Sequence, residues 1–272
     1  MAIKQYNQPD KPLHGKHSII HSRNSKSSLK RNDIPINNST SVAFFESINR
    51  YYGYLDYSED NNTNPDMNQC FAVRLAFFLI DAISYKKFML DRQGCFRNNF
   101  YHYIIEKAST SGLAEEIDDT ELLIIYIKQC LHMLKASGIL RQVKACADID
   151  RAAISSKTIY YKLFNAFWND LPWEDIFPSD TESARELKIC KNILKDLVLR
   201  HHGFISLQSV TNEFFEMTGF SAPNDLLKIS FLDFYFFTWL MHFGMIRYFN
   251  EPNYAPVRIA VTDKGRIFLN SI

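Results

Sequence analysis

The chain has 272 residues, 46% hydrophobic and 22% charged, a globular composition that excludes a wholly disordered or collagen-like protein. A chain of this length buries roughly 70–75% of its unfolded surface, enough for one large domain or two ordinary ones without disulfides or a metal. Lys+Arg 31 against Asp+Glu 30 leaves a net charge of +1, so bulk charge alone names no polyanionic partner.

The charge is unevenly placed. Residues 1–40 hold seven basic groups, Lys26, Lys30 and Arg31 among them, against Asp10 and Asp33, a net of +5; residues 41–272 carry −4. The first forty residues are rich in Asn, Ser, Pro and His and show no apolar period, which predicts a disordered basic arm. They lack the apolar stretch of a secretory signal, and Pro9, Pro12 and Pro35 interrupt any amphipathic transit helix. Residues 41–69 form an aromatic and acidic lead-in around Tyr51–Tyr57. The five cysteines (Cys70, Cys95, Cys130, Cys146, Cys190) include no C-x-x-C pair and read as reduced thiols of a cytoplasmic protein.

Further along, Ile229–Ile246 (ISFLDFYFFTWLMHFGMI) imitates a membrane span, but Asp233 in its middle opposes one and predicts a helix buried on most sides. The same stretch contains one half of an internal repeat. Around Gly138 the chain reads LKASGILRQ and around Gly244 it reads LMHFGMIRY, about 106 residues apart. AISSKTIYY follows the first glycine and AVTDKGRIF the second at nearly equal spacing, Lys157 matching Lys264.

In the second copy, Leu187, Cys190, Leu194 and Leu197 recur at helical spacing, and His201-His202-Gly203 closes that helix. Phe204–Ser206 reads as a short extended piece and Leu207–Thr218 as a second helix ending at Gly219. The apolar helix to Phe243 follows, then strands Met245–Phe249 and Val257–Val261 about the turn Asn250–Asn253, and a last helix capped by Thr262. The first copy runs through Phe71–Arg74, Phe100–Ile105 and Thr120–Ala136. Its expected hairpin is Ile139–Ala145 with Ala152–Ser155 about a turn at Asp148–Asp150, and Lys157–Trp168 closes it.

Helix, short strand, helix, helix, hairpin: this order resembles the winged-helix superfamily, with FGMIRYF and RIAVTDKGRIFL similar to its usual ending. The resemblance implies a mainly α fold with small β-hairpins (α+β): winged-helix domains at 70–170 and 183–272, a linker at 171–182, and the basic arm in front. Winged helices commonly bind DNA through the third helix and the hairpin, and many others bind proteins, so the surface has to decide.

A reading helix needs Arg, Lys, Asn or Gln for base edges. Between Ile229 and Phe243 the only charge is Asp233; Phe234, Tyr235 and Trp239 are instead candidates for docking a protein. The first copy offers Lys128, Gln129, His132 and Lys135, with Asp118, Asp119 and Glu121 crowding the helix start. Trp173 and Phe177 in the linker are further docking candidates, against self-docking between the copies.

Candidate phosphate contacts are Lys144, Arg151 and Lys157 near the first hairpin, and Arg247, Arg258, Lys264 and Arg266 near the second; salt bridges within the body are the competing reading. Lys188, Lys191 and Lys195 share one helix face, read as basic or simply solvated. No phosphate-binding glycine loop, G-x-S-x-G or H-E-x-x-H motif occurs, and Ser27–Lys30 matches S-x-x-K only within the arm. The expectation is a non-enzyme without metal, cofactor, membrane segment or small-molecule substrate. It would be a DNA-associated adaptor with protein partners or self-association, similar in fold to the paired winged-helix subunits of SMC-type complexes. A sequence-specific regulator using the Lys128–Lys135 face, and a purely protein-binding scaffold, are the alternatives.

Overall fold

The helical stretch Ile229–Phe243 is apolar on nearly every side, and the architecture follows from where it can be buried. A computed structural model of the chain describes residues 67–111, 113, 117, 119–177, 181–220, 225–249 and 257–272. The basic arm, the aromatic lead-in to residue 66 and the 250–256 turn lie outside the described residues. The described residues belong to one compact unit, Asn32–Ile272.

The first half consists of α1 (Phe71–Tyr85), α2 (Asn98–Ala108), α3 (Thr120–Ala136), the hairpin β1 (Leu140–Val143) and β2 (Cys146–Ile149), and α4 (Ser156–Asn165), which runs into a π turn at Ala166–Asp170. A short helix α5 (Trp173–Ile176) follows. The second half consists of α6 (Thr181–Leu199), β3 (Ile205–Ser206), α7 (Leu207–Thr218), and a long helix made of α8 (Asp225–Leu232), a π turn at Asp233–Phe237 and α9 (Thr238–His242). Strands β4 (Ile246–Phe249) and β5 (Arg258–Val261) and helix α10 (Asp263–Leu269) close it. The fold is thus mainly helical with small antiparallel strand pairs, and no described helix is long and apolar enough to cross a membrane.

Order of elements and strand pairing agree between the halves. In the second, β3 and β4 flank β5, Ile205 and Tyr248 both standing opposite Ile259. In the first, β2 pairs with β1 and, on its other edge, with residues 88–90 after α1: Leu90 N–H donates to Ala145 O (2.9 Å) and Ala147 N–H to Phe88 O (3.2 Å). The third helix of each half stops on a left-handed glycine, Gly138 (φ 73°) and Gly244 (φ 67°), where a side chain would be strained. Each closing helix is capped alike: Ser155 Oγ accepts from Thr158 N–H (3.2 Å) and Thr262 Oγ1 from Gly265 N–H (2.9 Å).

The first hairpin differs from expectation. Its second strand is Cys146–Ile149, joined by the two-residue turn Lys144-Ala145, and Arg151–Ala153 is a 3-10 turn. Neither turn residue is Gly, Asn or Asp, so the usual signal of a tight hairpin is missing. Lys144 nonetheless sits in the left-handed region at φ 57°.

Both halves share one core. Gln129 on α3 is 2% exposed; its Oε1 accepts from Trp239 Nε1 on α9 (3.0 Å) and its Nε2 donates to Ile176 O at the end of α5 (3.1 Å). Nearby, Phe243 O accepts from the Tyr160 hydroxyl (3.0 Å) and the Cys70 thiol (3.4 Å), tying α4 and the start of α1 to the end of α9. His242 packs against Phe71 and Tyr126, and burial pulls its pKa down to about 3, so it is held neutral. The Asp233 carboxylate, buried in the π turn, accepts from the Tyr248 hydroxyl. The stretch read as a linker is therefore a core element. Replacing Gln129 with Leu orphans both a buried indole N–H and a buried carbonyl, and should cost about 2–4 kcal/mol in urea unfolding. Loss of less than about 1 kcal/mol would mean that the bridge contributes little.

Candidate nucleic-acid interface

A duplex-reading surface requires cations that are exposed, unpaired and grouped. Lys26, Lys30 and Arg31 lie outside the described residues. Four of the other candidates point inward. Lys188 Nζ donates to Phe167 O (2.8 Å) and lies 5.2 Å over the Trp173 ring, while Lys191 donates to Trp168 O and lies 5.0 Å over the Trp168 ring. These two ammonium groups cap the carbonyls of the first π turn, satisfying groups that the wide turn leaves open. Arg266 donates to Leu199 O (2.8 Å) and His201 O (2.5 Å), capping α6 at its C-terminal, electronegative end. Lys264 Nζ sits 4.5 Å over Tyr160 and 3.9 Å from Cys70 Sγ. Lys195 donates to Ile272 O (2.6 Å).

The docking candidates are corrected in the same way. Trp173, Phe177, Tyr235 and Trp239 are buried, and Phe234 is half-buried against Phe177 and Tyr235, so none is an open apolar surface. The physical reason is the shared core: the long helix and α5 each lay their aromatics against the other half. On the Lys128–Lys135 face, Lys128, His132 and Lys135 are exposed and Gln129 is not. Gln129 is buried, and Lys128 lies 5.5 Å over the Tyr101 ring. Asp119 is the N-cap of α3, its Oδ1 accepting from Glu121 N–H (2.8 Å) and Leu122 N–H (3.1 Å).

Exposed cations do gather at the first hairpin. Lys144 occupies its tip, and Arg151 and Lys157 are exposed just beyond β2. The turn at Asp91–Gly94 sits against the same hairpin: a Cβ on Gly94 (φ +76°) would meet Gln142 Oε1 at 2.7 Å and Lys135 Nζ at 3.5 Å. Gln142 Nε2 in turn donates to Lys144 O (3.0 Å). Arg92 on the turn, Lys135 at the end of α3 and Lys144 are thereby grouped, and among the described residues none is in an ion pair. Two nearby acids are occupied. Asp91 Oδ1 accepts from Gln93 N–H (2.8 Å) and Cys95 N–H (2.9 Å), and Asp150 is paired with Arg141. Sequence reading missed Arg92, whose grouping depends on an isolated strand pairing that carries no periodic signal. The remaining candidate, Arg258, stands on the outer face of β5.

Among the described residues no group of three or more His, Cys, Asp or Glu side chains could hold a metal. None of the five cysteines is in a disulfide. Comparison with protein-family models, with curated proteins and with solved structures finds no match for this chain.

The lysine caps carry a pH signature. Burial, and secondarily Lys191, lower the Lys188 pKa from 10.5 to about 7, with Asp170 and Glu174 opposing. The unfolded chain therefore binds more protons between about pH 7 and 10.5, and this group's contribution to stability rises with pH across that window. Denaturant midpoints at pH 6.5 and pH 9.5 should rise more in the wild type than in Lys188→Met. An equal rise in both would show that Lys188 titrates normally.

Proposed function

We propose that this chain is a non-enzymatic, cytoplasmic tandem winged-helix protein that serves as a DNA-associated adaptor or subunit of a larger assembly, touching phosphates without reading sequence. Support for the fold reading comes from the matching element order of the two halves. In both, a short strand after the first helix pairs with the second hairpin strand, a glycine ends the third helix, and a Ser or Thr caps the closing helix.

The observation that carries the functional reading is the fate of the third helices. In a winged helix that reads bases, the third helix presents polar side chains to the major groove. Here α9 places Trp239 and His242 on Tyr126 and Gln129 of α3, and Trp239 is buried. The regulator alternative uses the Lys128–Lys135 face, which keeps Lys128, His132 and Lys135 exposed but loses Gln129, its side chain for bidentate adenine contact, to the core. Exposed at the first hairpin for a phosphate backbone are Arg92, Lys135, Lys144, Arg151 and Lys157. The basic residues Lys26, Lys30 and Arg31, outside the described residues, are proposed to add to them. By fold, the reading is similar to the paired winged-helix subunits of SMC-type complexes, in which protein partners share the work.

Lys144 separates fold from function. Asn tolerates the left-handed region better than Lys, so Lys144→Asn should raise stability by about 0.5–1 kcal/mol while removing one phosphate contact. In a salt titration of random duplex DNA, the full chain should bind with a steep log–log slope, and Lys144→Asn should lower that slope by about 1. A full chain that does not bind duplex, or a variant with unchanged slope and affinity, would sink the proposed contact. Preference for one site of roughly 10³-fold over random DNA would restore the regulator.

A further inference from the structure

The outward side of α6 carries a stripe that no described part of the chain covers. Glu182, Arg185, Ile189, Asn192 and Asp196 are exposed and recur at alternating helical steps, so they line up along one side of the helix. The opposite side, through Ala184, Leu187, Leu194 and Val198, is buried. At the centre of the stripe Ile189 is 70% exposed, an apolar side chain in an otherwise charged and polar row. Covering it would remove apolar area from water that the fold of one chain leaves open.

The stripe is complementary to itself. When α6 is turned end for end about the point midway between Cys190 and Lys191, Arg185 falls on Asp196 and Ile189 falls on Asn192. Two α6 helices laid antiparallel therefore set Arg185 against the partner's Asp196 at both ends, with Ile189 against the partner's Ile189 and Asn192 between them. Within one chain Arg185 and Asp196 cannot meet, because the helix between them holds them roughly 16 Å apart.

The groups that such a pairing needs are available. Among the described residues Asp196 is in no ion pair. Arg185 donates to Glu174 through Nε alone (2.9 Å) and its side chain is 60% exposed, which leaves both terminal amino groups for a second carboxylate. Lys188 and Lys195, beside the stripe, are turned to Phe167 O and Ile272 O. Glu182 and Asp196 oppose a nucleic acid on this face. A partner of other sequence would have to supply the reversed order of charges, whereas a second copy of this chain already has it. We infer that the exposed side of α6 is a self-association surface, on which a second copy of the chain docks antiparallel through two Arg185–Asp196 pairs around Ile189. The inference goes beyond the proposed function, and it holds or fails whether or not the chain binds DNA. A 19-residue helix is about 28 Å long, so the contact is at the small end of specific interfaces; the dimer should be salt-sensitive and weak, with a Kd of roughly 1–100 μM.

The test is sedimentation equilibrium of the full chain over a concentration series that extends well above that Kd. The wild type should show a reversible monomer–dimer equilibrium. Asp196→Arg sets two arginines face to face and should weaken the dimer at least about tenfold, and Arg185→Asp, which sets two acids face to face, should do the same. The double variant Arg185→Asp/Asp196→Arg should recover most of the lost affinity, a rescue that the distance along one helix forbids within a single chain. Both positions are exposed, so circular dichroism of all three variants should match the wild type. A chain that stays monomeric throughout the series would overturn the inference and leave the stripe to a different occupant. A dimer that either single swap leaves intact would place the contact elsewhere and overturn it too, as would a double variant as weak as the single ones.

Discussion

The buried amide of Gln129 sets the terms for the rest of the molecule. Its acceptor is used by the Trp239 indole and its donor by the Ile176 carbonyl, so one side chain joins α3, α5 and α9 across 110 residues of sequence. A buried amide with both ends satisfied is tolerable, and with either end open it is expensive, so the three elements are held in one arrangement. The two third helices thereby meet at Tyr126, Gln129, Trp239 and His242. His242, Phe71 and Tyr126 fill the space beside the bridge, and Phe243 O collects the Tyr160 and Cys70 donors at its edge.

That arrangement explains why the second half has so few loose cations. With the long helix turned inward, α6 covers the first π turn, and Lys188 and Lys191 are spent on its carbonyls. Arg266 is spent on the end of α6. Among the described residues, the exposed cations Arg92, Lys135 and Lys144 at the first hairpin are in no ion pair.

Much of the fold is legible in the sequence. The glycines at 138 and 244 mark the ends of both third helices, and Asp233 within an apolar run marks a buried helix. Strands Ile246–Phe249 and Arg258–Val261 fall within a residue of where their alternation puts them. Gln129 shares a helical face with Leu122, Tyr126 and Met133, so its burial was readable from spacing, but its two partners lie 47 and 110 residues away. The surface was harder to read. Lys188 and Lys191 sit at the spacing of a solvated face, and the π turn that draws them inward leaves no period. Trp173, between prolines and acids, looks like a linker anchor until α3 is placed beside it. The basic cluster at the first hairpin depends on residues 88–90 joining β2, a pairing too short to announce itself.

The two halves follow one plan and share a single core, and calorimetric unfolding of the full chain shows whether they melt together. A fused core predicts one transition with matching calorimetric and van't Hoff enthalpies. Two resolved transitions, each about half the total enthalpy, would mean that the halves fold independently and that the bridge at Gln129 does not join them.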